Sequence, residues 1–177
     1  MSKTTNLMIA RQLLDGMSSG RDPEQIAAMF APDLVLEVPG DDGALPWIGR
    51  STGREAMARF LRDQRALTEP GSFEVEDVLG SDARAVIVGH LKTRIKATDR
   101  VVAGSFAFIL TIIDGLILRF QMLENSFAVS QAARIKRRLP HSRWKRGEWA
   151  SAYEQSAAGR ERLLLGHDQG CGLIGSR

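Results

Sequence analysis

Two polar residues, Glu124 and Asn125, interrupt the apolar run RFQMLENSFAV at residues 119–129. In a strand, Glu124 shares parity with Phe120 and Met122, which puts its carboxyl on the same face as two large apolar side chains. Desolvation on that face raises a carboxyl pKa and suits the group to general acid or base chemistry near neutral pH. The structural alternative is a frayed strand end at which Glu124 pairs with Arg119 or with a cation of a neighbouring strand. A second carboxylate, Glu37, lies in DLVLEVPG, residues 33–40. If Leu36 and Val38 are core, Glu37 points outward; if the strand bulges at Pro39, Glu37 turns into a pocket. These two acids, with Asn125 as a hydrogen-bonding assistant, are the candidate proton-transfer groups.

Other chemistries find less support. The single cysteine, Cys171, excludes an intrachain disulfide and a cysteine-based zinc site, and His90, His141 and His167 are too scattered to suggest a metal. The spacing gives no Ser-His-Asp arrangement, and GREAMARF opens a helix rather than cradling a phosphate. His90 shares parity with Lys92, Arg94 and Lys96, which makes it a residue of a charged, solvated or dimer-edge face. The expectation is acid–base chemistry with no metal or organic cofactor.

The elements that must position these groups follow from the pattern of apolar residues. Ala10, Leu13, Leu14 and Met17 recur at helical spacing, which predicts an amphipathic helix over residues 4–18, stopped by Ser18, Ser19 and Gly20. Asp22 as cap and Pro23 at the first helical position predict a second, short helix, and Thr52 with Glu55 has the spacing of a capping box for a third. DLVLEVPG is the first strand. After TEPGS, read as a turn, come four strand-like runs, the last two joined by a hairpin at Asp114 and Gly115. Helices followed by antiparallel strands predict an α+β fold with helices on one face of a curved sheet. Phe106, Phe108 and Leu110 face one way in the third of these strands, while Ala107, Ile109 and Ile112 lie largely on or near the other side. With both faces apolar, the outer face calls for a cover, and a second copy of the chain is the expected one.

Of 177 residues, 1–130 carry 14 Lys or Arg against 17 Asp or Glu, and 131–177 carry 10 against 4. The domain is therefore placed at 1–131 and a basic tail, partly helical or disordered, at 132–177. Trp144 and Trp149 interleave the tail's cations, a pattern compatible with nucleic acid or an anionic membrane surface. A solvated charge run is the favoured reading. No apolar run approaches the roughly 20 residues that span a bilayer, and no secretory leader pattern opens the chain, so a cytoplasmic protein is expected.

The order of elements, with MFAPDLVLEVPG, LPWIGRSTGREAMARFL, the Asp-Gly hairpin and RFQMLENSFAV, resembles the SnoaL-like, ketosteroid-isomerase-like branch of the nuclear transport factor 2-like superfamily. The resemblance covers residues 4 to about 131. It implies a cone in which a bent, antiparallel or mixed sheet wraps about three N-terminal helices and encloses an apolar pocket, commonly in a homodimer. It also implies an apolar small molecule as the partner, in a superfamily that includes isomerases, cyclases, dehydratases, epoxide hydrolases and proteins without chemistry. Ketosteroid isomerases use a tyrosine on the first helix, an aspartate before the proline ending the first strand, and a protonated acid on the penultimate strand. Leu13, Val38 and Phe106 stand at those three positions here, so that mechanism is not expected. The epoxide-hydrolase members resemble the chain through Glu37 and the pair Glu124 and Asn125. The Arg and Asp that bind the epoxide in them correspond to Lys92, Arg94 and Lys96, with no acid between. The apolar wall implied by the resemblance is Phe106, Phe108, Phe120 and Met122 with Leu13 and Val38. Trp47, in the loop before the third helix, either caps the pocket mouth or packs on that helix.

Overall fold

The first helix, α1 (Lys3–Ser18), is capped by Ser2 and buries Ala10 and Leu13; it ends at Ser19, with Gly20 in the left-handed region. The Asp22 side chain accepts from the backbone N–H groups of Glu24 and Gln25 and so starts α2 (Pro23–Ala27), as the Asp-Pro signal predicts. Then come β1 (Phe30–Val38), a short β2 (Gly49–Thr52) and α3 (Arg54–Leu67). Four further elements complete the described chain before its last helix: β3 (Thr68–Gly80), β4 (Arg84–Ile95), β5 (Arg100–Ile113) and β6 (Leu116–Leu123). The last helix is α4 (Ser126–Ala133). This computed structural model describes residues 2–134. The expectations for the basic tail lie outside them.

The six strands form one mixed sheet in the order β2-β1-β6-β5-β4-β3. The β1–β6 pair is parallel and the other neighbours are antiparallel. The connection allows β1 and β6 to pair in parallel: α3 and four strands, β2, β3, β4 and β5, lie between them in the chain. Asp114 (φ 48°) and Gly115 (φ 82°) make the β5–β6 hairpin turn, where the Asp-Gly pair tolerates the left-handed backbone that the strand twist favours. The result is the α+β cone, with α1, α2 and α3 against the inner face of the bent sheet.

The inner face is set by register. Leu36 pairs with Phe120, Phe120 with Leu110, and Phe108 with both Met122 and Ile87. All of these are buried in one cluster with Leu13, Met57, Phe60 and Leu61 from the helices. Ile112 is 2% exposed and belongs to this inner set, not to the outer side expected for it; β5 alternates strictly to its end, so Ile112 shares parity with Phe106, Phe108 and Leu110. The outer face carries Val86, Val88, Ala107, Ile109 and Leu123 along its middle, flanked by charge.

Three local expectations are corrected. TEPGS is the start of β3 rather than a turn; Thr68 pairs with Ile95, and a bulge between Pro70 and Ser72 absorbs the proline. Thr52 lies in β2, so Gly53 is the N-cap of α3 with no side-chain cap, and the Glu55 carboxylate binds Arg62 instead. The chain leaves β6 at Leu123, and Ser126–Ala133 forms a helix where the apolar run suggested continued strand.

Candidate functional site

Glu124 occupies the two-residue link between β6 and α4, next to the last β5–β6 pair, Ala107 with Leu123. The next β5 position is Phe106, so the Glu124 backbone sits beside the aromatic wall. Among the described residues its carboxyl has no hydrogen-bond or ion-pair partner, and burial pushes its pKa above the ordinary carboxylate value. The pairing with Arg119 offered as an alternative does not form, because Arg119 binds Glu37.

Glu37 therefore lies on the outer face, as the buried Leu36 and Val38 require. Its backbone pairs with Arg50 on one side and Gln121 on the other, and no bulge at Pro39 turns it inward. Glu37 lies in the sheet, paired with Arg119, and Glu124 lies beyond the end of β6, so the two acids do not form a carboxylate pair. Asn125 has a local role: its side-chain oxygen accepts from Ala128 N at 3.0 Å and caps α4. That cap fixes where the strand stops, and so fixes Glu124.

The six apolar candidates come together. Leu13, Val38, Phe106, Phe108, Phe120 and Met122 share one buried cluster. Their rings form a continuous path: Phe106–Phe108 at 4.7 Å between centroids, Phe108–Phe120 at 5.2 Å, and Phe120–Phe60 at 6.2 Å. Trp47 extends this path, meeting Phe60 edge-on at 6.0 Å, and it joins the main core to a second apolar cluster of Leu45, Ile95, Val102, Val129 and Ala132. It also borders a cleft of about 80 Å³ that reaches Arg59 and Asp63. Trp47 thus packs on α3 and lines a cleft at once.

The second cluster forms where α4 packs against Ile95 of β4, Val102 of β5 and Leu45 of the loop between β1 and β2. Polar contacts hold the helix there: Thr98 Oγ1 donates to Ala132 O at 2.6 Å, Arg100 donates to Gln131 O at 2.7 Å, and the Asp41 carboxylate accepts from Ser130 and Arg134. Gly40, Asp41, Ser126, Phe127, Ser130 and Arg134 border an open cleft of about 500 Å³ on this side, two residues from Glu124. Hydrogen bonding from Ser130, and then from Arg134, holds the Asp41 pKa below its ordinary value. A depressed carboxylate stabilises above its unfolded pKa, and that contribution is lost as pH falls through the folded value. Amide exchange in α4, corrected for intrinsic rate, is therefore expected to accelerate at acid pH. In Asp41→Asn it is expected to be fast at every pH; unchanged α4 protection in that variant would show that Asp41 does not hold the helix.

The linear spacing also hid one arrangement. His90 Nδ1 is 3.1 Å from Glu76 and its Nε2 is 3.1 Å from the Ser105 hydroxyl, across β3, β4 and β5. All three lie exposed on the outer face, and the backbone around Ser105 is committed to the β4 ladder, so no oxyanion site adjoins it. Lys92 and Arg94 share that outer face, where Arg94 pairs with Glu69 and Asp99. Lys96 donates to the carbonyls of Arg65 and Ala66, so the three cations do not line an interior site. Among the described residues, no three His, Cys, Asp or Glu side chains are grouped to hold a metal ion.

Comparison with solved structures identifies the same cone elsewhere. An NTF2-like protein from Burkholderia xenovorans superposes with a TM-score of 0.68 at 23% identity, over 76% of this chain and 99% of that one. A candidate isomerase from Bacillus subtilis gives 0.62 at 18% identity, over 75% and 95%. TerC, co-crystallized with polyporic acid, gives 0.61 at 16% identity, over 73% and 98%. At these identities the likeness establishes the fold. No curated protein matches the chain. The SnoaL-like domain matches residues 10–120, from the middle of α1 to the Phe120 hub of β6, and the chain belongs to that family.

Proposed function

We propose that the domain holds an apolar small molecule and acts on it as a cofactor-independent isomerase, cyclase, lyase or hydrolase, with Glu124 exchanging the proton. The observation that carries this reading is the Glu124 carboxyl itself, partly buried, unpartnered among the described residues and raised in pKa at the edge of an aromatic wall. A carboxyl whose pKa is raised by desolvation holds its proton to higher pH and, once ionised, is a stronger base. Support for a ligand also comes from proteins of the same fold, one of them co-crystallized with polyporic acid. Leu13, Val38 and Phe106 supply no proton, so the ketosteroid-isomerase mechanism is not the one proposed. Native mass spectrometry of freshly purified protein tests the reading, with an apolar organic compound expected as added mass. A bare protein that also fails to bind a panel of apolar ring compounds would remove it.

A second reading is a non-catalytic module that works as a homodimer. It is favoured by the outer sheet face, where Val101, Ile113 and Leu123 are 47%, 51% and 39% exposed beside Val88, Ala107 and Ile109. Sedimentation of the wild-type chain is expected to give a dimer, and Ile113→Lys with Leu123→Lys is expected to give a folded monomer. A wild-type monomer would rule out this face as a self-association surface. Cytoplasmic location is proposed with both readings and is checked by cell fractionation. Among the described residues no helix is long and apolar enough to cross a membrane.

A further inference from the structure

We propose that Ser105 is an activated nucleophile on the outer face of the sheet, deprotonated by His90 and oriented through Glu76, and that it takes an acyl group from activated esters. This site is separate from the apolar core and from Glu124. Ser105 stands opposite His90 in the β4–β5 ladder, and its hydroxyl lies 3.1 Å from His90 Nε2. On the other side of the ring, His90 Nδ1 lies 3.1 Å from the Glu76 carboxylate. A carboxylate only accepts, so the proton in that contact belongs to Nδ1. The neutral ring then keeps its lone pair at Nε2, and the Ser105 hydroxyl donates to it. Both contacts run in the sense that a general base and its nucleophile need.

Glu76 reaches the ring because β3 is irregular at that point. Val75 pairs with Gly89 and Asp77 with Val88, so Glu76 is the extra residue of a bulge. In a regular ladder Glu76 would itself stand opposite Val88; the bulge releases it from that place and re-aims its carboxylate towards His90. Ala103 and Ala107 flank Ser105 on the same face of β5, and Ser105 is exposed, so its hydroxyl is open to an incoming ester. The β4 ladder leaves no oxyanion site beside it. That restricts the acyl donor to one whose leaving group departs as a stable anion, an aryl ester or a thioester. In the step, Ser105 Oγ forms a bond to the acyl carbon as its proton passes to His90 Nε2. The bond from that carbon to the leaving group breaks, the leaving group takes the electron pair, and the imidazolium returns its proton to water. Ser105 is left as an ester.

The probe is p-nitrophenyl acetate: release of p-nitrophenolate gives the rate, and peptide mass spectrometry after an acid quench locates the acetyl group. The full wild-type chain is expected to carry acetyl on Ser105, and Ser105→Ala is expected to lose both that label and the release above background. His90→Gln is expected to slow labelling roughly tenfold or more, short of the usual general-base range because water reaches the exposed imidazole. Glu76 acts through His90 as a positioning residue, so Glu76→Gln is expected to slow labelling and Glu76→Asp to recover part of the rate. All three side chains are exposed, and circular dichroism checks that the variants fold. Equal labelling of Ser105 in His90→Gln overturns the proposal, as does acetyl found on Lys92, one outward pair away, in place of Ser105. The same face is the one proposed for self-association, so the reaction is also run on the Ile113→Lys, Leu123→Lys double variant. Labelling of Ser105 there but not in the wild type supports the proposal, with the serine covered in a dimer. A double variant with neither label nor release above the Ser105→Ala background overturns it.

Discussion

Glu124→Gln is expected to lower turnover of the natural substrate by about a hundredfold or more, the usual contribution of a positioned general acid or base. The same substitution is expected to leave the fold intact and make it more stable above the carboxyl titration range. Gln keeps the shape and removes the charge, so what is lost is proton transfer and what is gained is the removal of an unpartnered anion from a desolvated position. The sign follows from linkage. Burial raises the folded pKa of Glu124 above its unfolded value, so between the two values the folded state binds more protons than the unfolded chain. Wild-type stability from this group is therefore greatest below the unfolded pKa, falls as pH rises through the window, and levels off above the folded pKa. Glu124→Gln is flat through that window, so the two proteins converge at acid pH and separate as pH rises. Thermal melts across pH measure this without knowledge of the substrate. Parallel wild-type and variant profiles would show that the carboxyl is solvated in the folded state, and the proton-transfer proposal would lose its residue.

Several features of this site were legible as chemistry before they were legible as geometry. The alternation in Phe120, Gln121 and Met122 gave the inner face of β6 correctly because a two-residue period needs only local backbone. Asp22-Pro23 and Asp114-Gly115 worked for the same reason: each acts on its own few residues. What failed depended on partners far along the chain. Arg119 was as close in sequence to Glu124 as to any acid, but register placed it opposite Val35 and Thr111, where Glu37 could reach it. The four residues of β2 have no apolar alternation to announce them; they are a strand because β1 is there to pair with. In the same way, Ser126–Ala133 is apolar enough for a strand, and it becomes a helix because Asn125 caps it and Asp41, Thr98 and Arg100 hold its far end. Apart from the local Asn125 cap, these contacts join residues well separated in the chain and have no short-range signature. The Glu76–His90–Ser105 line was hidden similarly, by a β3 bulge between Val75 and Asp77.

Phe120→Ala is expected to cost about 3–5 kcal/mol, the range for truncating a fully buried phenylalanine, and to lower the melting temperature by on the order of 10 °C or more. Phe120 is 0% exposed and meets three other rings: Phe108 at 5.2 Å, Phe30 at 6.2 Å and Phe60 at 6.2 Å. Two roles are open to such a residue in a cone. As the wall of a water-filled cavity it would already be hydrated on one side, and its removal would cost far less. As a hub between β6, β5, β1 and α3 its loss leaves a void that those elements cannot close together. The rings around it are close enough for the second role, so the void is expected to be dry and apolar, and benzene is expected to raise the melting temperature of Phe120→Ala but not of the wild type. A cost below about 1 kcal/mol with no benzene effect would make Phe120 a pocket lining instead. The division matters for function, because a filled centre leaves a ligand no room around Phe120 and confines it to the periphery of the core, where the Glu124 carboxyl lies without a partner among the described residues.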